Sequence, residues 1–326
     1  MPRAIMYQRR EPSIKQIKSI DYIYIAIANA FGHDKMIWED RIAWAKSRNQ
    51  LDALASDADE PLLFIKAVNA LRKAKAGVPT GFTIPMDATA SGLQILACLM
   101  GCMTTAKQVN LVNTGNREDV YLMVANHMSA LGEANFTRKQ VKDPIMTHFY
   151  NSKAQPKDVF GDNTTELNTF YTTLDELLPG GAEAMLDIQS CWNPEALVHS
   201  WTLPDGHRAI VKVYPKEATN VKIEVAGTSF VQAIDINQPD PKGLSLPANV
   251  VHSIDGYVVR EMYRRADAQG FGIITIHDSF ACSPNHVNKM RQNFNDILAE
   301  IAESDLLQSI LREVTGDKSL VLTKAG

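Results

Sequence analysis

The sequence predicts a mostly helical α+β protein, and three observations carry that expectation. Apolar residues recur at helical spacing through most of the chain. Two short apolar runs far apart, Phe82-Thr-Ile-Pro-Met-Asp87 and Ile274-Thr-Ile-His-Asp-Ser-Phe-Ala281, read as strands that end or break at a carboxylate. Between them Thr202–Val213 and Asn220–Ile236 alternate apolar and polar residues around Ala-Gly-Thr-Ser, the pattern of a β-hairpin near 210–236.

Taken in order, residues 1–20 are locally basic (Arg3, Arg9, Arg10, Lys15, Lys18), which reads first as a solvated tail and second as a nucleic-acid contact. Helical patterns follow over Ile17–Phe31, Ile37–Ala55 and Pro61–Lys75, with Leu63, Ile65, Val68 and Leu71 as packing positions. After the first strand run, Ile95–Cys102 and Arg117–Gly132 read as helices. A polar turn is expected over Gln155–Asn163, two helical segments up to residue 190, and a short helix over Trp192–Trp201. Pro239–Pro247 reads as a loop and Leu246–Ala266 as a helix bearing His252 and Asp255. The run Ile274–Ala281 reads as a buried strand and hairpin, and Val287–Leu311 as one amphipathic helix.

With 326 residues, 45% of them hydrophobic and 21% charged, the chain can bury a large core and form two subdomains. No run of 18 apolar residues predicts a membrane span, and the first ten residues lack the apolar core of a signal peptide. Cys98, Cys102, Cys191 and Cys282 show no metal-ligand spacing, so buried free thiols in a reducing, cytoplasmic compartment are expected. Lys and Arg total 33 against 37 Asp and Glu, a net charge of −4, so a nucleic-acid-binding role requires a locally basic channel rather than a basic surface.

The chemistry concentrates in the two strand runs. An unpaired carboxylate inside a core costs several kcal/mol. Asp278 therefore either closes a tight turn onto backbone amides or is held out towards a metal ion. Asp87 ends its run just before Ala88-Thr-Ala-Ser91-Gly92-Leu-Gln94, and two Asp residues from distant strands suit two-metal phosphoryl transfer. A third array, Arg138, Lys142, Met146 and Tyr150, repeats every four residues and shares one helix face. It reads either as a solvated basic stripe with a packed Tyr or as a triphosphate grip followed by a sugar and base contact. Pro144 inside it predicts a helix that begins near Lys142 or kinks there.

The wording of these segments resembles single-subunit RNA polymerases of the phage and mitochondrial type. Asp87–Gln94 follows the first palm motif (Asp-x-x-x-Ser-Gly-x-Gln), and His277-Asp-Ser-Phe280 the last. Arg138–Asn151 follows the middle motif, Arg-x3-Lys-x7-Tyr-Gly, in all but its final Gly. Asn249–Gly256 and Trp201–Gly206 also look like this family. Asn151 stands where the pattern has Gly, and Asn is well suited among other residues to a positive φ, so the backbone shape is expected to survive.

The resemblance implies a palm-and-fingers polymerase core with a small antiparallel palm sheet and a β-hairpin in the fingers region. It divides the chain into an N-terminal helical region packing on the palm (1–78), palm with the first catalytic motif (79–110), fingers (111–253), and palm with the second motif and C-terminal helix (254–326). It implies that Asp87, Asp278 and the Ala88 carbonyl bind two Mg²⁺ ions, with Mn²⁺ as the alternative, and that His277 positions the RNA end. Arg138 and Lys142 would neutralise the triphosphate, and Lys142 would also protonate the leaving group. Tyr150 and His252 would sense the 2′-hydroxyl, with Ser91 and Gly92 beside the substrate. The expected activity is transfer of nucleotides from rNTPs onto an RNA 3′-end on a DNA template.

Only 86 residues precede Asp87, and the family's Asp-x-x-Gly-Arg motif is absent from them. The likeness thus implies one polypeptide of a split phage polymerase, working in the cytoplasm of an infected bacterium; a fragment of a longer polymerase or a naturally minimal enzyme would read the same way. A second subunit would supply the N-terminal domain and thumb, and a single-stranded DNA-binding helper is a further expected partner. The rival readings are a DNA polymerase or primase-like member of the palm superfamily, a non-catalytic single-strand-binding subunit, and a metal-dependent phosphohydrolase. A DNA polymerase would usually carry Glu rather than Ser279 after His-Asp. The other two have no need of the complete Asp87, Asp278, Lys142 and Arg138–Tyr150 set.

Overall fold

The computed structural model describes residues 14–132, 134–213, 216–237 and 243–324, with no side-chain account of 216–218 or 235–237. Arg3, Arg9 and Arg10 of the expected basic tail, and residues 239–242 of the expected Pro239–Pro247 loop, lie outside these residues. The first helices are α1 (Ser19–Ala28), α2 (Trp38–Lys46) and α3 (Pro61–Lys75). Strand β1 (Ile84–Asp87) leads through a left-handed Ala90 (φ 52) into α4 (Ser91–Met100). Next come α5 (Met103–Gln108), α6 (Val120–Leu131), α7 (Arg138–His148), α8 (Ala154–Phe160), α9 (Thr165–Leu177) and α10 (Pro179–Ser190). Two hairpins follow, β2 (Val198–Thr202) with β3 (Arg208–Lys212), and β4 (Lys216–Val225) with β5 (Thr228–Asn237). The chain closes with α11 (Ser245–Ala268), β6 (Ile273–Ile276), β7 (Ser279–Cys282), α12 (Val287–Glu303) and α13 (Leu306–Thr315). The mostly helical α+β class expected from the sequence is what the chain adopts.

The core is organised around α4. Every residue from Gly92 to Met100 is buried, because the run is apolar all round and α10, α11, α12 and α13 pack against it. Burying a side chain such as Leu96 or Leu99 contributes about 1.5–3 kcal/mol. Helix α4 follows β1 directly, so this packing also fixes the strand that ends in Asp87. The motif residue Gln94 is buried on α4, where its amide donates to the Val109 carbonyl at 2.9 Å. It pins the loop after α5 and so holds the helix in place.

Strands β1, β7 and β6 form an antiparallel sheet in that order. Asp87 pairs with Ser279, and the Ala88 amide donates to the Asp278 carbonyl at 3.2 Å. The N-terminal helices are tied to α12 by Asn288, which bonds both the amide and carbonyl of Ile17 and accepts from the Tyr22 hydroxyl at 2.6 Å. The β2–β3 hairpin is fixed to α11 by the buried Trp201, whose indole donates to Ser253 at 3.0 Å, and by the Arg260–Asp205 ion pair.

Several sequence expectations need correction. The pattern Ile37–Ala55 is broken: α2 stops at Lys46, and a separate, more tightly wound segment, Leu51–Asp57, follows. Ala154–Phe160 is a short helix rather than a polar turn, since Pro156 and Phe160 are buried. No helix spans Trp192–Trp201; Val198 onward pairs as β2, with the β-branched and aromatic content that favours a strand. Strand β6 is a half-exposed edge, not a buried strand, with Ile274 and Ile276 52% and 66% exposed. The C-terminal pattern is two helices, because Ser304 adopts an extended ψ of 164 and its hydroxyl accepts the Leu306 amide. Among the described residues no helix is long and apolar enough to cross a membrane.

Candidate active site

A cavity of about 780 Å³ opens above the ends of β1 and the β6–β7 turn. All ten residues singled out from the sequence line it: Asp87, Ala88, Ser91, Gly92, Arg138, Lys142, Tyr150, His252, His277 and Asp278. They come from four separated segments of the chain. The cavity also contains Asp255, Tyr121, Arg117 and Lys35, to which sequence reading gave no role.

The acidic side is built by the sheet. Strands β6 and β7 are joined by only two residues, His277 and Asp278, because Ile276 pairs with Ser279. His277 takes a positive φ of 53, which histidine tolerates better than most side chains. Antiparallel pairing then brings Asp278 alongside the end of β1, next to Ala88. Two carboxylates and a peptide carbonyl are hard oxygen donors of the kind that hold Mg²⁺. Among the described residues no three His, Cys, Asp or Glu side chains form a complete metal cage.

The basic side is built by α7. Its N-terminus is fixed by a capping box in which Thr137 and Gln140 satisfy each other's backbone amides. The helix therefore starts at Arg138 and not near Lys142, and it continues through Pro144. The carbonyl four residues before Pro144 belongs to Gln140, an exposed residue where water can replace the missing donor. Arg138, Lys142 and Met146 thus share the cavity-facing side that their spacing predicted, with Tyr150 just past the helix end. The guanidinium of Arg138 donates through Nε to Asp119 at 2.7 Å and lies 5.2 Å from the Tyr121 ring centre. Asp119 also caps α6 by accepting the Leu122 amide, so one carboxylate joins the starts of α6 and α7.

Tyr150 has two close neighbours. The His252 ring stacks on it at 4.4 Å with a 27° tilt. Its hydroxyl end lies against Gly92, where any Cβ would fall 2.9 Å from the hydroxyl oxygen. Burial, with the nearby Asp255 charge, pushes the Tyr150 hydroxyl up to about 12, so it is a neutral phenol at ordinary pH. Burial and the Asp278 charge push Asp255 up to about 6, while a hydrogen bond from Ser91 acts in the opposite sense. Partial burial against Tyr150 lowers the His252 ring below its usual range.

Asn151 has a φ of 63, the left-handed conformation anticipated at this Gly-to-Asn position. Its side chain adds what glycine could not: Nδ2 donates to the Gln189 amide oxygen at 2.5 Å and to the Leu244 carbonyl at 3.2 Å. The end of α7 is thereby tied to α10 and to the start of α11. Asp255 was detectable in the sequence as the residue three positions after His252, on the same helix face. Asp119 was detectable as an N-cap immediately before an apolar helical run.

A carboxylate pair on a sheet facing cations on a helix is the layout of a site that handles phosphate esters. Comparison with known proteins places the chain more narrowly. The family model of DNA-dependent RNA polymerase matches residues 15–156 and 184–323, and the chain belongs to that family. It is 24% identical over 344 residues to a DNA-directed RNA polymerase of Pseudomonas phage phiKMV, covering 86% of this chain and 42% of that protein. It is 22% identical over 352 residues to a mitochondrial DNA-directed RNA polymerase of Nicotiana sylvestris, covering 89% of this chain and 35% of the relative. A probable DNA-directed RNA polymerase of Neurospora crassa is 33% identical over 152 residues, 39% of this chain and 17% of the relative. The chain thus spans about two-fifths or less of the length of these relatives.

Proposed function

We propose that this chain carries the nucleotidyl-transfer centre of a DNA-directed RNA polymerase, joining rNTP-derived nucleotides to an RNA 3′-end on a DNA template. The observation that carries the reading is the convergence of all ten motif residues on one cavity from four distant segments. In this reading the β1–β7–β6 sheet and the helices around it are the palm, and α6 to α10 with the β4–β5 hairpin are the fingers. Asp87, Asp278 and the Ala88 carbonyl hold two Mg²⁺ ions, with Mn²⁺ as the alternative. When bound, the ions supply activation of the attacking hydroxyl and charge stabilisation at the leaving pyrophosphate.

The protein's own contribution is positioning and electrostatics, the two effects that dominate catalysis of phosphoryl transfer. Arg138 and Lys142 lie on adjacent turns of α7 and line the cavity, which supports their both reaching one triphosphate; in this reading Lys142 also gives a proton to the leaving group. His277, exposed in the β6–β7 turn, contacts the RNA end. Tyr150 and His252 form a rigid stack against which the sugar is read. The DNA template and RNA product share the cavity's open side. A second polymerase chain is a proposed partner, and the proposed setting is the cytoplasm of an infected bacterium.

The test is extension of an RNA primer on a single-stranded DNA template with rNTPs and Mg²⁺, by the chain alone and with candidate second chains. Extension by wild type, absent in Asp278→Ala at unchanged helix content, supports the assignment. Equal extension by both removes Asp278 from the chemistry. Preferential use of dNTPs would instead make the chain a DNA polymerase.

A further inference from the structure

Lys35, Arg117, Arg138 and Lys142 line the cavity. Arg138 is ion-paired with Asp119 and Lys35 with Asp34, whereas among the described residues no carboxylate pairs with Arg117 or Lys142. Lys142 already has its place in the triphosphate grip on α7. Arg117 has no task so far. It is exposed, comes from the loop before α6, and donates through Nη1 to the Asp34 carbonyl in the turn between α1 and α2. The same carbonyl accepts from Nη2 of Arg41 at 2.6 Å. Arg41 is buried, donates also to the Met36 carbonyl and the Asn29 side chain, and has no carboxylate partner among the described residues. Asp34 thus stands alone against Lys35, Arg41 and Arg117, in a chain whose net charge is −4. Such a local excess of like charge at a cavity is what a bound anion offsets. The loop carrying Arg117 is also held in place. The Asn110 side chain donates to the Glu118 carbonyl at 2.9 Å and accepts the Glu118 amide at 2.8 Å. The next residue, Asp119, caps α6 and holds Arg138.

We propose that Arg117 binds the terminal phosphate of the incoming rNTP. This role rests on the nucleotidyl-transfer reading of the site. In that reading the α-phosphate lies at Asp87 and Asp278, and α7 faces the triphosphate. Arg138 has given its Nε to Asp119, so part of its charge and its side-on edge are already spent. Arg117 supplies a second guanidinium from a different wall of the cavity. Its Nη1 is spent on the Asp34 carbonyl, and its Nε–Nη2 edge carries no hydrogen bond among the described residues. That edge matches two oxygens of one phosphate. The carbonyl orients the guanidinium without cancelling its charge, and the Asn110 clamp spares the loop the entropy of ordering when the ligand arrives.

The test measures Kd for ATP and for ADP, with Mg²⁺, on the protein bound to a DNA template and a primer ending in 3′-deoxyribose, where no transfer can occur. The mixture used is whichever one extends an ordinary primer. ADP keeps the base, the sugar and the α- and β-phosphates and lacks only the terminal phosphate. Losing a charged hydrogen-bonding partner corresponds to roughly tenfold to a hundredfold in affinity. Arg117→Ala should therefore weaken ATP by at least about tenfold while ADP stays within about twofold of wild type. Arg117→Lys keeps the charge without the fork and should fall between. Equal weakening of ATP and ADP would reduce Arg117 to a brace for the Asp34 turn and overturn the assignment. So would unchanged ATP affinity, or weaker template binding at an unchanged ATP-to-ADP ratio. Those results leave nucleotidyl transfer standing, whereas absence of extension by wild type in every mixture overturns the transfer reading and the assignment with it. Thermal unfolding checks that each variant is folded, and Arg117→Lys carries the comparison if Arg117→Ala is not.

Discussion

Replacing Gly92 by Ala separates what the active site needs from what the fold needs. The new methyl carbon would stand 2.9 Å from the Tyr150 hydroxyl oxygen and 3.2 Å from Cζ, both inside ordinary contact distance. The ring must therefore move by roughly half an ångström, the shortfall from normal van der Waals separation. It cannot move towards His252, already stacked at 4.4 Å, so it swings into the open cavity. Overpacking costs typically about 1–3 kcal/mol, and the free space beside Tyr150 puts this case at the low end. Alanine in place of glycine in a helix returns about 0.5–1 kcal/mol. Net stability should stay within about 1 kcal/mol of wild type, a change of at most about 1–2 °C in Tm. Sugar selection should suffer more, because the displaced hydroxyl loses one hydrogen bond, worth about fivefold to tenfold in the rNTP-to-dNTP ratio of kcat/KM. Differential scanning fluorimetry and single-nucleotide extension measure the two quantities. A Gly92→Ala protein with wild-type selectivity would refute the claim that the space left by Gly92 sets the position of the Tyr150 hydroxyl.

Other outcomes follow from the same geometry. Asp119→Ala removes an N-cap and the partner of Arg138, so stability should fall by about 1 kcal/mol and KM for rNTPs should rise severalfold, read by urea titration and steady-state kinetics. Asn151→Gly keeps the left-handed backbone but loses two side-chain hydrogen bonds, with an expected cost of about 1–2 kcal/mol by chemical denaturation. His148 is kept neutral by burial, its pKa lowered from 6.5 to about 4. The unfolded chain takes up that proton first, so its contribution is fully present above pH 6.5 and is lost as the pH falls towards 4. The loss amounts to about 3 kcal/mol, and His148→Phe should flatten the stability profile in that window.

The site was more legible than the fold around it, for physical reasons. Asp87 and Asp278 stood out because a carboxylate at the end of an apolar run has no cheap place in a core. The Arg138–Tyr150 face was readable from spacing alone. The doubt that Pro144 placed on it dissolves once the capping box is seen, and Thr137 and Gln140 stand at capping-box spacing in the sequence. What sequence did not display were partnerships between segments. Nothing local says that Asp119 holds Arg138, or that Asn151 reaches Gln189 and Leu244. Helix boundaries failed where capping residues were read as helix interior, as at Ser304, or where burial overrode polarity, as at Ala154–Phe160. The β2 strand was misread because Trp201 sits in a short segment whose pairing partner, Ala209, lies across a turn.

The central claim is that Asp87 and Asp278 jointly hold metal beside the nucleotide, and it can be tested on this chain without RNA synthesis. Fe²⁺ placed in Mg²⁺ sites generates hydroxyl radicals that cut nearby backbone, and mass spectrometry maps the cuts. With an rNTP present, cleavage is expected around both residues 85–90 and 276–280. Excess Mg²⁺ should suppress it, and either Asp87→Ala or Asp278→Ala should abolish it. Cleavage confined to one of these segments, or unaffected by either substitution, would contradict the account.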